Sequence, residues 1–187
     1  MDNISNLRHE QIISPWVTLV THTITTPTHP QPRDFHSLKL ADYVGVLAVT
    51  DDERVPLVRQ YRPALDRYTL ELPSGLRETG ESPVDTARRE LVEETGFNIS
   101  GELLPLGCMA PDTGRLENQL WGFYAGTVTR IADFIPEAEV ELVLLDKAQF
   151  RESIVRGEFD HALHLAIVAH ALVRGHFSFQ PVSASAS

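Results

Sequence analysis

Between Gly75 and Phe97 the sequence places Glu81 on a short loop and Arg89, Glu90, Glu93 and Glu94 on a segment whose pattern predicts one helix. Ser82 offers a cap, Pro83 suits the first helical position, and Asp85 stands where a capping-box acid would stand. Gly96 can end the helix. Val84, Ala87 and Leu91 fall on one stripe, which predicts the packed face. Glu90, Glu93 and Glu94 lie beside it within an arc of roughly 100°, since each helical residue advances about 100°. Like charges so close destabilise a helix. As charge pattern alone, a solvated acidic face explains this. Gly75 and Glu81, in register ahead of the helix, favour a face that holds cations. Oxygen donors without clustered cysteines point to Mg²⁺ or Mn²⁺ rather than zinc. Arg89 can reach Glu93 one turn on and orient it.

The fixed positions Gly75, Glu81, Arg89, Glu90, Glu93, Glu94 and Gly96 follow the Nudix box without a departure, and on these residues the chain resembles the Nudix hydrolases. The resemblance implies an α/β fold, the α/β/α sandwich with a mixed sheet. It also implies hydrolysis of a nucleoside diphosphate linked to another group. Glu90, Glu94 and the Ser74 carbonyl are then metal ligands, and Glu93 is a ligand or orients the attacking water. The implied cofactor is Mg²⁺, with Mn²⁺ as the alternative. A net charge of −10 fits this scheme, because bound cations are what allow an anionic diphosphate to approach an acidic site.

The residues ahead of the box narrow the resemblance. Leu57-Val58-Arg59-Gln60-Tyr61-Arg62 followed by Leu70-Glu71-Leu72-Pro73-Ser74-Gly75 is similar to the ADP-ribose and nucleotide-sugar pyrophosphatase branch. On an alternating strand Arg59 and Arg62 point to opposite faces, so strand packing does not explain both. Arg62 is the favoured contact for phosphate or the terminal ribose. Glu71 resembles a position that touches substrate or metal-bound water. A general base is expected on the loop from Ala110 to Asn118, with Glu117 the best match, Asp112 second, and the run Glu137, Glu139 and Glu141 third. Trp16 is a candidate for stacking on a base across a dimer. GDP-mannose or another nucleotide sugar is the alternative substrate, and a nucleotide-sugar sensor without catalysis is the alternative class.

Composition sets the remaining bounds. The 187 residues are 42% hydrophobic and 22% charged, as in ordinary globular domains. The acidic balance argues against sequence-independent nucleic-acid binding. Cys108 is the single cysteine, no apolar run approaches the about 20 residues of a membrane span, and no signal-peptide pattern opens the chain. A cytoplasmic homodimer is the expectation. The expected organisation is an N-terminal β-ribbon over residues 1–40, a catalytic domain over 41–176 and a flexible tail over 177–187. Residues 1–14 read as a polar lead-in. Strands are expected from Trp16 to Thr25 and from Phe35 to Leu40, with a hairpin of Val44–Val49 and Val55–Tyr61. Two closing helices, Lys147–Arg156 and Asp160–Arg174, follow, the second burying Leu163, Ile167 and Leu172. His161 and His164 read as packing histidines, because no third ligand is evident.

Overall fold

The computed structural model describes residues 5–135 and 139–180. The chain divides into two compact units. One comprises the chain up to Asp42 together with Met109–Leu120, and the other comprises Tyr43–Cys108 with the chain from Trp121 onward.

The first unit is a three-stranded antiparallel sheet in the order β1 (Ser5–Ser14), β2 (Val17–Thr26), β3 (His29–Lys39). The expected polar lead-in is therefore a strand. Its residues are exposed on both faces, so the hydrophobic alternation that marks a strand is missing, and only pairing with the Val- and Thr-rich β2 holds it extended. The second expected strand begins earlier than Phe35, at His29. The edge of β3 pairs with the 109–120 loop: Leu38 N donates to Arg115 O at 2.7 Å and Glu117 N to Leu38 O at 3.0 Å. The loop therefore belongs with the N-terminal sheet.

The second unit is built around β4 (Tyr43–Thr50), flanked by β7 (Ser74–Leu76) and β10 (Leu120–Arg130), with β8 (Phe97–Ile99) and β9 (Leu103–Met109) pairing β10. A second sheet has the order β11 (Val140–Asp146), β5 (Arg54–Arg62), β6 (Arg67–Glu71). The expected hairpin is a chain reversal without a shared ladder, because β4 and β5 enter different sheets. Both edges of β4 are taken by β7 and β10.

Helices cover β4 on its two faces. Val44, Val46 and Ala48 pack with Ala87 and Leu91 of α1 (Pro83–Thr95). Gly45, which points the other way, lies so close to α3 (Ala162–Val173) that a Cβ there would meet Ile167 Cδ1 at 2.7 Å. This is the α/β/α layering. The α2 helix (Lys147–Val155) packs on β11 and β5, and its Phe150 meets Phe159 and Phe177 edge-on. Of the tail expected from residue 177, Phe177 is buried and packs on Phe150, and residues 181–187 lie outside the described residues.

Two predicted stripes shift. Val84, in the first turn of α1, is 42% exposed, and the buried face instead runs through Thr86, Ala87, Glu90, Leu91 and Glu94. In α3 the buried residues are His164, Ile167, Val168 and Ala171, at helical i, i+3, i+4 and i+7, while Leu163 and Leu172 are half-buried. In both helices polar residues share the packed face, Thr86, Glu90 and Glu94 in α1 and His164 in α3, and a reading that seeks only apolar residues passes over them.

Candidate active site

The α1 helix begins and ends as its sequence directs. Ser82 Oγ accepts from Asp85 N at 3.2 Å, Pro83 fills the first position, and Gly96 closes the helix at φ 70° with its N–H bonded to Val92 O. Gly96 is needed twice, since a Cβ there would also lie 2.3 Å from the Phe134 ring.

Arg89 gathers three of the acids. Its guanidinium donates to Glu81 at 3.0 Å from both Nε and Nη2, and Nη1 reaches Glu90 at 2.8 Å and Glu93 at 3.0 Å. The predicted Arg89–Glu93 contact is present, and the sequence did not reveal that Arg89 also clamps the loop. Glu81 accepts from Thr86 as well, and these bonds, led by Arg89, hold its carboxyl at about 2.

Glu90 and Glu94 are buried on the same helix. Gly75 makes room for the first: a Cβ there would sit 2.0 Å from Glu90 Oε1. Glu94 Oε2 accepts from Ser74 N at 2.8 Å. Burial, opposed by that bond and reinforced by the neighbouring Glu90 and Glu71 charges, pushes the Glu94 carboxyl up to about 8. The β4–β7 register explains how Ser74 faces these acids. Val46 N donates to Pro73 O at 3.0 Å, so Pro73–Val46 is a bonded pair and the next pair, Ser74–Gly45, is not. The N–H and C=O of Ser74 therefore both point away from β4. Its N–H meets Glu94, and its carbonyl emerges on the same edge.

The two buried carboxylates and the Ser74 carbonyl offer only oxygen donors, and burial disfavours an uncompensated charge on the carboxylates. These residues fit a hard divalent cation.

Arg62 and Glu71 form a second focus of charge in this unit. Glu71 is 1% exposed and takes a two-point bond from Arg62, Nε to Oε1 at 2.7 Å and Nη2 to Oε2 at 2.6 Å, with Thr69 Oγ1 adding 2.6 Å to Oε1. Burial alone would raise its pKa, yet the Arg62 and Thr69 bonds win and hold it at about 2. Arg59 stands apart from this pair, as strand alternation requires: its guanidinium lies 5.2 Å over the Tyr68 ring and 3.6 Å from Glu141. Arg59, Tyr61, Arg62, Tyr68 and Glu141 line an open hollow of about 720 Å³.

The structure supplies the third candidate ligand that the histidine pair lacked in sequence. Ligand atoms of Glu71, His161 and His164 lie within 4.8 Å of one another, and the two imidazoles stack at 3.9 Å. The cluster does not suit a metal. His164 Nδ1 accepts from Leu72 N at 3.1 Å, so the proton of the neutral ring is on Nε2. Burial, then the adjacent His161, lowers His164 to about 3, which keeps it neutral. The Glu71 oxygens are occupied by Arg62 and Thr69, whose bonds already satisfy its charge.

In the first unit, Glu117 is held by side chains that the sequence did not associate with it. Arg8 donates at 3.1 and 2.7 Å, Ser37 at 2.5 Å, and His22 Nε2 lies at 2.9 Å. Arg8, His22 and Ser37 come from three different strands, at positions that cross-strand register alone brings to one face. These bonds, Arg8 foremost, hold Glu117 at about 2 despite its partial burial. Asp112 accepts from Gly114 N at 2.8 Å, shaping its own turn. Glu137 lies outside the described residues. Trp16 sits on the β1–β2 turn, 72% exposed.

The model of the NUDIX domain matches residues 39–164. The chain is 40% identical over 116 residues to the ADP-sugar pyrophosphatase of Mus musculus, a match covering 54% of this chain and 53% of that one. It is 52% identical over 54 residues to the ADP-ribose pyrophosphatase of Bacillus subtilis (strain 168), covering 29% of each. It thus spans about half the length, or less, of these curated relatives. Among solved structures, an ADP compounds hydrolase superposes with a TM-score of 0.78 at 19% identity, over 92% of this chain and 95% of that one, which shows a shared fold.

Proposed function

Since this chain belongs to the Nudix family, we propose that it hydrolyses the diphosphate linkage of ADP-ribose or a related nucleoside diphosphate sugar, giving a nucleoside monophosphate and a sugar phosphate. The observation that carries the reading is the buried Glu90–Glu94 pair, Glu90 in the space that Gly75 leaves and Glu94 bonded to Ser74 N. Glu90, Glu94 and the Ser74 carbonyl hold a divalent cation, Mg²⁺ or Mn²⁺. When bound, it neutralises diphosphate oxygens and acidifies water.

Arg89 keeps Glu93 at the rim of this site. Glu93, half exposed at its side chain, takes the proton of the attacking water. The assignment goes to Glu93 ahead of Glu117, because a carboxylate engaged by Arg8, Ser37 and His22 and held at about 2 is a weak proton acceptor. Arg62 meets substrate oxygens with the guanidinium face that Glu71 leaves free, and Arg59 with Tyr68 supplies a second contact surface in the adjoining hollow. Substrate preference for ADP-sugars is supported by the names of the similar pyrophosphatases.

The N-terminal sheet is the dimerising element in this reading. Leu7, Ile12, Ile13, Trp16 and Phe35 are exposed on its strands and on the β1–β2 turn, Leu7 and Phe35 on opposite faces, and association would remove such apolar surface from water. Among the described residues no helix is long and apolar enough to cross a membrane.

The test is turnover of ADP-ribose, GDP-mannose, UDP-glucose and dNTPs with Mg²⁺, followed by release of phosphomonoesters. Fastest turnover of ADP-ribose or another nucleotide sugar is expected. Equal or faster turnover of triphosphates would sink the assignment, and tight binding without turnover would make the protein a sensor.

A further inference from the structure

The main chain changes sheets between Glu71, the last residue of β6, and Ser74, the first of β7. The N–H groups of this crossing and the Pro73 carbonyl have identifiable partners. Pro73 has no N–H, Pro73 O accepts from Val46 N, and Ser74 N donates to Glu94. The remaining amide, Leu72 N–H, is buried and donates to a side chain 92 positions away, His164 Nδ1 at 3.1 Å. His164 is 4% exposed and packed among its neighbours. His161 stacks on it at 3.9 Å, Phe159 lies at 6.4 Å, and α3 carries it on its packed face. Gly45 lets α3 come close enough, since a Cβ there would strike Ile167 one turn along from His164.

We propose that His164 is a positioning residue for the cation site: by accepting the Leu72 amide, it fixes the sheet crossing and so aims the Ser74 carbonyl. The inference rests on the reading above that this carbonyl is a cation ligand. No residue of the box contributes this constraint, and α3 lies some seventy positions downstream of the box helix in sequence. An imidazole suits the task because it offers one acceptor nitrogen on a rigid ring that packs as a hydrophobic side chain would. Without the acceptor, the buried Leu72 amide has to find another partner by moving, and Ser74 moves with it.

The test uses the full chain. Mn²⁺ binding is measured by electron paramagnetic resonance on wild type, H164F and H164N, with kcat and the Mn²⁺ concentration for half-maximal rate measured alongside. Phenylalanine keeps a ring and loses the acceptor, and asparagine keeps an acceptor at the position of Nδ1. H164F is expected to bind Mn²⁺ about tenfold more weakly, as loss of a group supporting a metal ligand typically does, and H164N within about twofold of wild type. Equal weakening in both variants, or none in H164F, would overturn the proposal. If H164F does not fold, a through-bond ¹⁵N–¹⁵N coupling between Leu72 N and His164 Nδ1 in the labelled wild type decides whether the bond exists, and H164N decides whether an acceptor suffices. Wild type that binds no Mn²⁺ would instead remove the functional reading itself. Wild type that binds Mn²⁺ beside an unaffected H164F removes only the role of His164.

Discussion

Replacing Gly75 with alanine adds one methyl group at the tightest point of the proposed cation site. The new carbon would sit 2.0 Å from Glu90 Oε1, 2.2 Å from Cδ and 2.5 Å from Oε2. Ordinary contact begins at about 3.4 Å, so the carboxylate has to retreat by roughly 1.4 Å or β7 has to leave its ladder with β4. Gly75 is not among the glycines at positive φ, so alanine meets no backbone strain and the effect is steric. A misplacement of about 1 Å costs on the order of 100-fold in rate, and crowding of a packed site costs about 1–3 kcal/mol of stability. G75A is therefore expected to lose about 100-fold in kcat on ADP-ribose at saturating Mg²⁺, with a raised Mg²⁺ requirement and a folded chain by circular dichroism. A rate within threefold of wild type, with unchanged Mg²⁺ dependence, would refute the placement of Glu90 against Gly75.

Further outcomes are expected at Glu94, at the Arg62–Glu71 pair, and at Glu93 with Glu117. E94Q should lose at least about 100-fold in kcat, since a neutral amide is a poor cation ligand. Because the folded-state pKa of Glu94, about 8, lies above its ordinary value, the cation-free wild type should lose stability as pH rises from the ordinary carboxylate range through 8. Mg²⁺ should restore it at high pH and E94Q should flatten the trend, as thermal unfolding with and without EDTA at pH 5 and pH 9 will show. R62M should destabilise the protein by about 2–3 kcal/mol, less than for a fully buried pair because Arg62 is partly exposed, and R62M/E71Q should recover part of the loss in urea titrations. The Glu71 carboxyl is held at about 2, below its ordinary value, so its contribution is present above the ordinary carboxylate range and is lost as pH falls toward 2. E93Q should lower kcat by about 100-fold or more while E117Q leaves it within about fivefold; the reverse order would return the role of base to Glu117.

The sequence by itself determined the box helix and its acidic face. Ser82, Pro83 and Gly96 set the ends of α1 through local capping, and the fixed spacing from Gly75 to Gly96 put the acids on one helix, because helical geometry depends only on neighbours in the chain. It also separated Arg59 from Arg62, since strand alternation is local too. Tertiary structure decided what those residues meet. Only the β4–β7 register turns the Ser74 carbonyl outward, and only the approach of α3 across Gly45 brings His164 to the Leu72 amide. The lead-in became β1 although its own pattern is too polar to announce a strand, and Glu117 acquired Arg8, His22 and Ser37 through register between strands. Hydrogen-bonded partners of high sequence separation leave no periodicity to read. In this chain they are what surrounds the acidic helix of the proposed site.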